Sequence, residues 1–449
     1  MRDIDIPEHA TLGVGGPSYL AANWRHFVAE YWNRQPTVIR NALTQPLADP
    51  AEIFQALQAT ANQFKQDADR PGDLTPQALP MEPEERRSEV KMLFNNMRLL
   101  SAEAERLLPN TCDKNLDQYV ERLLTAAGQR DVMLYVTGFQ RYSAQIWDRV
   151  CSFLLPLYQL VGMPAGYADL ELFIGRYGST PGGVHKDRGT NFHFVVSGQK
   201  KMHIWPRSEY WSRPVSDGGR YQSSLGKEFS PLQWRDDLGD SVTLEAGPGD
   251  AFHWAIDHWH VGESPQLSVS LNIALYLYGD PWTLVERGLS GAFGGSGEIP
   301  SYPFVADDET WRSSGLPTAI SAKLGDLNLL ASQERQELFV LREWMRKTTS
   351  FGFGVVPPRV TSPALGPNDV IARSGQLPVL YQRAGNRLAY SANGHVSDVP
   401  YTAESVHLLK LINTALPARI STLVPNPLCD VFGSILQDLY RMRAIAKEF

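Results

Sequence analysis

The sequence predicts a mainly β core with flanking helices: an antiparallel barrel or jelly roll of the cupin type, a double-stranded β-helix. Three observations predict it. From about residue 168 the apolar period shifts from helical to alternating, first in Leu170-Glu171-Leu172-Phe173-Ile174. Turn signals then punctuate the chain at Ser179-Thr180-Pro181-Gly182-Gly183, Ser197-Gly198 and Pro248-Gly249-Asp250. Between them lie short runs of strand composition, at 189–196, 200–205, 241–245, 251–255 and 267–278.

The elements before the barrel are expected to form a mostly helical segment over 1–165 that packs on it. Trp24, Phe27, Val28 and Tyr31 recur at roughly helical spacing, and Pro36-Thr37-Val38-Ile39-Arg40 reads as a short strand. The charged stretch from Pro83 to about Ala127 has a helical pattern with Leu99, Leu100, Leu107 and Leu108 as its apolar positions, an amphipathic cover. Residues 142–161 form a strongly apolar helix. The barrel occupies 166–300, interrupted at 207–240 by a Ser-, Gly-, Asp-, Arg- and Trp-rich stretch that reads as a surface insertion.

Beyond the barrel, 301–360 is helical. Leu327, Leu329, Leu330, Leu338, Phe339, Leu341 and Trp344 are interleaved with charge, a pattern suited to packing or to a homodimer interface. Val355-Val356-Pro357-Pro358, Ser362-Pro363 and Gly366-Pro367 make a linker. The remainder, 361–449, has a strand pair around Tyr381 and Tyr390 joined near Gly385-Asn386, then helices from Ala403, the order of a winged-helix-like domain.

Bulk properties narrow the function. A net charge of −7 and the lack of a dense Lys/Arg face argue against nucleic acid and anionic membrane as partners. The N-terminus lacks a signal-peptide layout and no apolar run reaches transmembrane length, so a cytoplasmic protein is expected. Cys112, Cys151 and Cys429 are scattered, form no CxxC pair and fit a reducing compartment; Cys151, within an apolar run, reads as inert core.

The chemistry concentrates in two places. His185 and Asp187 are two residues apart, which in a strand puts both side chains on one face. A second cluster, His258-Trp259-His260, leads into Ser268-Val269-Ser270-Leu271-Asn272. Two histidines and one carboxylate make the facial triad that holds non-haem Fe(II), with Mn or Ni as substitutes. His260 is the third-ligand candidate, and His258 and His253 compete with it. His193 and His203, on barrel strands, read as hydrogen-bonded core histidines. Lys200 follows a tight turn; pointing inward, it needs an anion, which the far carboxylate of a dicarboxylate cosubstrate supplies. Asn191 and Asn272 are placed to donate to the near carboxylate.

At these residues the sequence resembles the JmjC-type 2-oxoglutarate oxygenases. The His185-x-Asp187, Asn191, Gly198 and Lys200 series, with Gly249-Asp250, Trp259-His260 and Asn272, is similar to the pattern of factor-inhibiting HIF. That family places a cosubstrate-binding Thr before the first metal His; Thr180 stands nearest, further upstream. The segment from Phe27 through Tyr31 to Arg40 is similar to the entry of ribosomal oxygenases, which add a helical dimerisation region and a winged helix but carry Arg at the Lys200 position. The resemblance implies Fe(II) on His185, Asp187 and His260, 2-oxoglutarate as cosubstrate and O2 as oxidant. It also implies hydroxylation of an amino-acid side chain in a protein or peptide, with release of succinate and CO2. The alternatives are a small molecule or peptide natural product as substrate, N-methyl-lysine demethylation, or a non-enzymatic cupin-type binding protein.

Overall fold

The computed structural model describes residues 19–68, 89–128, 130–205, 221–222, 228–229, 234–289, 301–304, 306–318, 320–321, 324, 333–361, 364–424 and 430–448. They fall into two compact units. One lies within Met1–Pro76, Arg87–Ile146 and Asp169–Tyr276, the other within Gln77–Arg86, Trp147–Ala168 and Leu277–Phe449. The chain runs through β1 (Thr37–Ile39), β2 (Val90–Phe94), β3 (Met97–Arg98), β4 (Val132–Val136), β5 (Met163–Pro164), β6 (Tyr167–Tyr177), β7 (His185–Lys186) and β8 (Thr190–Ser197). It continues through β9 (Lys200–Trp205), β10 (Tyr221–Gln222), β11 (Glu228–Phe229), β12 (Val242–Ala246), β13 (Ala251–Trp254) and β14 (Trp259–Tyr276).

The first unit is the jelly roll. Two antiparallel sheets form it, in the orders β13-β8-β14-β6 and β12-β9-β14-β7. Both share β14, an 18-residue strand. Its first part pairs with β9 and β7, setting His260 opposite both Ile204 and His185. Its second part pairs with β8, setting Asn272 opposite His193. β14 passes from one sheet to the other between Glu263 and Val269, and a register shift in its pairing with β8 follows between Val269 and Ser270.

Period-2 geometry sends alternate side chains inward. Val195, Met202, Ile204, Leu244, Ala246, Phe252 and Trp254 form one apolar cluster. Full burial of each large member contributes roughly 1.5–3 kcal/mol. The opposite parity packs outward: Phe192, Phe27, Trp32 and His253 form an aromatic group on the other face of the first sheet.

The segment before the barrel is less helical than its composition suggests. β1 pairs with β13, and β4, β2 and β3 extend the first sheet beyond β6. β2 falls inside the stretch whose charge pattern reads as helix, because Val90, Met92 and Phe94 alternate into the core and find β4 as a partner. Leu100 is 73% exposed while Leu108 is buried, so the Leu pairs do not form one apolar stripe. The helix Leu116–Ala127 does carry such a stripe, in Leu116, Tyr119, Val120, Leu123 and Ala127. Of the expected insertion at 207–240, residues 207–220, 223–227 and 230–233 lie outside the described residues; β11 within it pairs Phe229 with His185.

In the second unit, the helix Gln333–Thr349 buries Val340, Leu341, Trp344 and Met345 and leaves Phe339 48% exposed. Leu327, Leu329 and Leu330 lie outside the described residues, as does Cys429. Cys151 is buried. Leu380–Ala384 and Arg387–Ala392 make the expected hairpin, with Tyr381 opposite Tyr390, and His395–Pro400 adds a third strand. Helices Ala403–Thr414, Ile420–Leu423 and Asp430–Arg441 follow and share one apolar core with the hairpin.

The β8–β9 turn sets where Lys200 enters the barrel. Gly198 there has φ +76°, and an added Cβ would sit 2.1 Å from the Leu267 carbonyl oxygen. Gly198→Ala is therefore expected to destabilise the protein by about 1–3 kcal/mol, read as a lower urea midpoint; an unchanged midpoint would contradict this account of the turn.

Candidate metal centre

His185, Asp187 and His260 come together at one end of the barrel. One ligand atom from each lies within 4.8 Å of the others. Two elements supply them: β7 carries His185, Asp187 follows just past its end, and β14 brings His260 alongside by direct pairing. His260 Nε2 stands 3.7 Å from Asp187 Oδ2, and the two imidazole rings are 4.4 Å apart. Both histidines are buried, while the Asp187 side chain is 17% exposed.

The ring orientations are fixed by the backbone. His185 Nδ1 is 3.0 Å from the Gly183 carbonyl and His260 Nδ1 is 3.0 Å from the His258 carbonyl. A carbonyl only accepts, so each Nδ1 carries the proton and each Nε2 presents a lone pair. Two imidazole nitrogens, one carboxylate and no thiolate form a donor set that fits Fe(II) and similar divalent ions.

The competing histidines are elsewhere. His253 faces the opposite side of its sheet, against Phe27, Trp32 and Phe192, with Nδ1 on the Asn191 carbonyl. Burial pushes its imidazole down to about 3, so it is a neutral packing residue. His258 Nδ1 lies 3.4 Å from the Ile256 carbonyl, and its ring does not line the cavity. His203 sits between Thr243 and Glu263 on the outward parity of β9.

The triad borders a cavity of about 290 Å3 that Thr180, Asn191, Lys200 and Asn272 also line. Lys200 is buried, with Nζ 3.0 Å from both His193 Nε2 and Ser270 Oγ, and lies over the rings of Phe173 and Tyr177. No carboxylate is among its hydrogen-bond partners in the described residues, so the cavity holds a buried cation suited to an anionic ligand. Asn272 Nδ2 donates to Glu171 Oε2 and to Asn191 Oδ1, each at 2.8 Å. Asn191 Nδ2 donates to the Gly189 carbonyl. These amides thus brace each other. The Thr180 hydroxyl accepts from Gly262 N at 2.8 Å and ties the 178–183 turn to β14.

Sequence reasoning missed a second wall. Glu171 and Phe173 from β6, Met133 and Tyr135 from β4, and Lys91 and Leu93 from β2 line the same cavity. Tyr135 Oη donates to Glu171 Oε1 at 2.5 Å. Burial, then the Glu171 charge, holds the Tyr135 phenol well above its ordinary range. Glu171 had a signal: an acid inside an apolar alternation, in step with Phe173. Tyr135 had none, since its strand is recognised only by its neighbours.

No family model matches this sequence, and no curated protein matches it. Among solved structures, the chain is similar to YcfD of Escherichia coli, with 13% identity over 95% of this chain and 98% of that one and a TM-score of 0.47. A structure of YcfD, a ribosomal oxygenase from Escherichia coli, in complex with cobalt and 2-oxoglutarate shows 12% identity over the same shares and a TM-score of 0.44. Hydroquinone 1,2-dioxygenase from Sphingomonas sp. TTNP3 is similar over 24% of this chain and 59% of that one, at 12% identity and a TM-score of 0.17. Likenesses this distant carry no inference about the chemistry of this chain, which rests on the cavity's own side chains.

Asp187→Ala and His260→Ala are each expected to weaken Co(II) binding in anaerobic titration by more than roughly 100-fold, the upper range for losing a mere supporting group. His253→Phe should leave that affinity unchanged. Equal affinity in all three would remove the triad as the ion's site.

Proposed function

We propose that this protein is an Fe(II)- and 2-oxoglutarate-dependent oxygenase that hydroxylates an amino-acid side chain of a protein or peptide. The observation that carries the reading is one cavity lined by both a His-Asp-His donor set and a buried Lys that hydrogen-bonds no carboxylate among the described residues. A facial set of three ligands leaves coordination positions for a chelating cosubstrate, and the ammonium supplies a counter-charge for its other end. A purely binding protein has no need of both.

With Fe(II), 2-oxoglutarate and O2 bound, the chemistry supplied is oxidative decarboxylation to succinate and CO2, coupled to insertion of one oxygen atom into a substrate C–H bond. His185, Asp187 and His260 would hold the ion, the histidines through Nε2. Lys200 would pair with the distal carboxylate of 2-oxoglutarate. The Asn191–Asn272 brace shapes the wall beside it, and Thr180 fixes the turn that leads to His185. Trp254, Phe173 and Met202 exclude water from the space between ion and ammonium. Leu93 and Met133 give the incoming side chain an apolar lane on the strands outside the barrel.

Protein supplied with Fe(II), 2-oxoglutarate and a peptide or extract mixture should form succinate and a product heavier by one oxygen atom. Succinate formation without any oxidised peptide would move the substrate to a small molecule, and no succinate at all would defeat the reading. Lys200→Ala should raise the 2-oxoglutarate requirement by roughly 10- to 100-fold, the range for losing a hydrogen bond to a charged group. An unaltered requirement would take Lys200 out of the cosubstrate site.

A further inference from the structure

Lys200 is buried, and two neutral groups, His193 and Ser270, hold its ammonium. An ammonium only donates hydrogen bonds, so the His193 Nε2 at 3.0 Å is its acceptor. The ring is then neutral with its proton on Nδ1; burial, and next the Lys200 charge, hold its imidazole well below the ordinary range.

Ser270 Oγ, 3.0 Å from the ammonium and 2.8 Å from His193 Nε2, closes a triangle that fixes where Nζ sits.

We propose that His193 is a positioning residue for Lys200: together with Ser270 it pins the ammonium in the cavity. It does not touch the reacting atoms. What the pinned ammonium meets, a dicarboxylate, rests on the proposed function; the pinning itself does not.

Two readouts separate the two ideas. The first is the rate at which an amine-reactive reagent labels Lys200 in the metal-free protein, by peptide mass mapping, with the 42%-exposed Lys201 as internal reference. His193→Phe, which keeps a ring but loses the acceptor, should speed labelling of Lys200 relative to Lys201 by about 5- to 10-fold. His193→Gln, which restores an acceptor, should return it to within about 3-fold of wild type. Ser270→Ala, which removes the other acceptor, should give an intermediate rise. These sizes correspond to one hydrogen bond of a charged group lost, kept or weakened.

The second readout is calorimetric titration of 2-oxoglutarate into the Mn(II)-loaded protein without oxygen. His193→Phe should weaken binding by about 10-fold at unchanged Mn(II) affinity, and His193→Gln should restore it. Should His193→Phe not fold, the Ser270→Ala and His193→Gln pair gives the same contrast. Unchanged Lys200 labelling in both His193→Phe and Ser270→Ala overturns the pinning, whatever 2-oxoglutarate does. Altered labelling, with no 2-oxoglutarate binding even by wild type, upholds the pinning and overturns the cosubstrate.

Discussion

The pairing of β14 with both sheets is the constraint on which the site depends. One continuous strand places His260 beside His185 in one sheet and Asn272 beside His193 in the other. His260, Gly262 and Asn272 share one parity along β14, and all three line the cavity. A slip of one residue would turn His260 outward and bring Trp259 in its place. The donor set is therefore a property of strand register as much as of residue identity, and the outward aromatic packing of Phe192 and His253 enforces that register from the other face.

Much of this was legible in the sequence. Period-2 alternation gave the strands, and Gly and Pro gave their ends. A His and an Asp two apart, just before Asn191 and Lys200, marked the metal end of the barrel. The choice among His253, His258 and His260 was not fixed by spacing, because all three lie within eight residues and parity depends on where the strand starts. In the structure His253 belongs to β13 and faces outward, whereas His260, the second residue of β14, stands beside His185.

The strands outside the barrel were hidden for a different reason. Val90–Phe94 and Val132–Val136 are five residues each, next to helical sequence, and their strand state comes from sheet partners distant in sequence. No local period could disclose that Tyr135 would reach Glu171. The amide brace was also unreadable: Asn191 and Asn272 were rightly suspected of facing inward, but their donors serve Glu171 and Gly189.

The sheet extension β4-β2-β3 divides the cavity's labour by strand of origin. The His-Asp-His donor set comes from β7, the turn after it and β14. Most of the opposite wall comes from strands that a bare jelly roll does not need. Changes at Leu93, Met133 or Tyr135 can therefore alter which molecule fits without touching the donor set, so this chain could drift toward new substrates by varying its add-on strands while its reactive centre stays fixed.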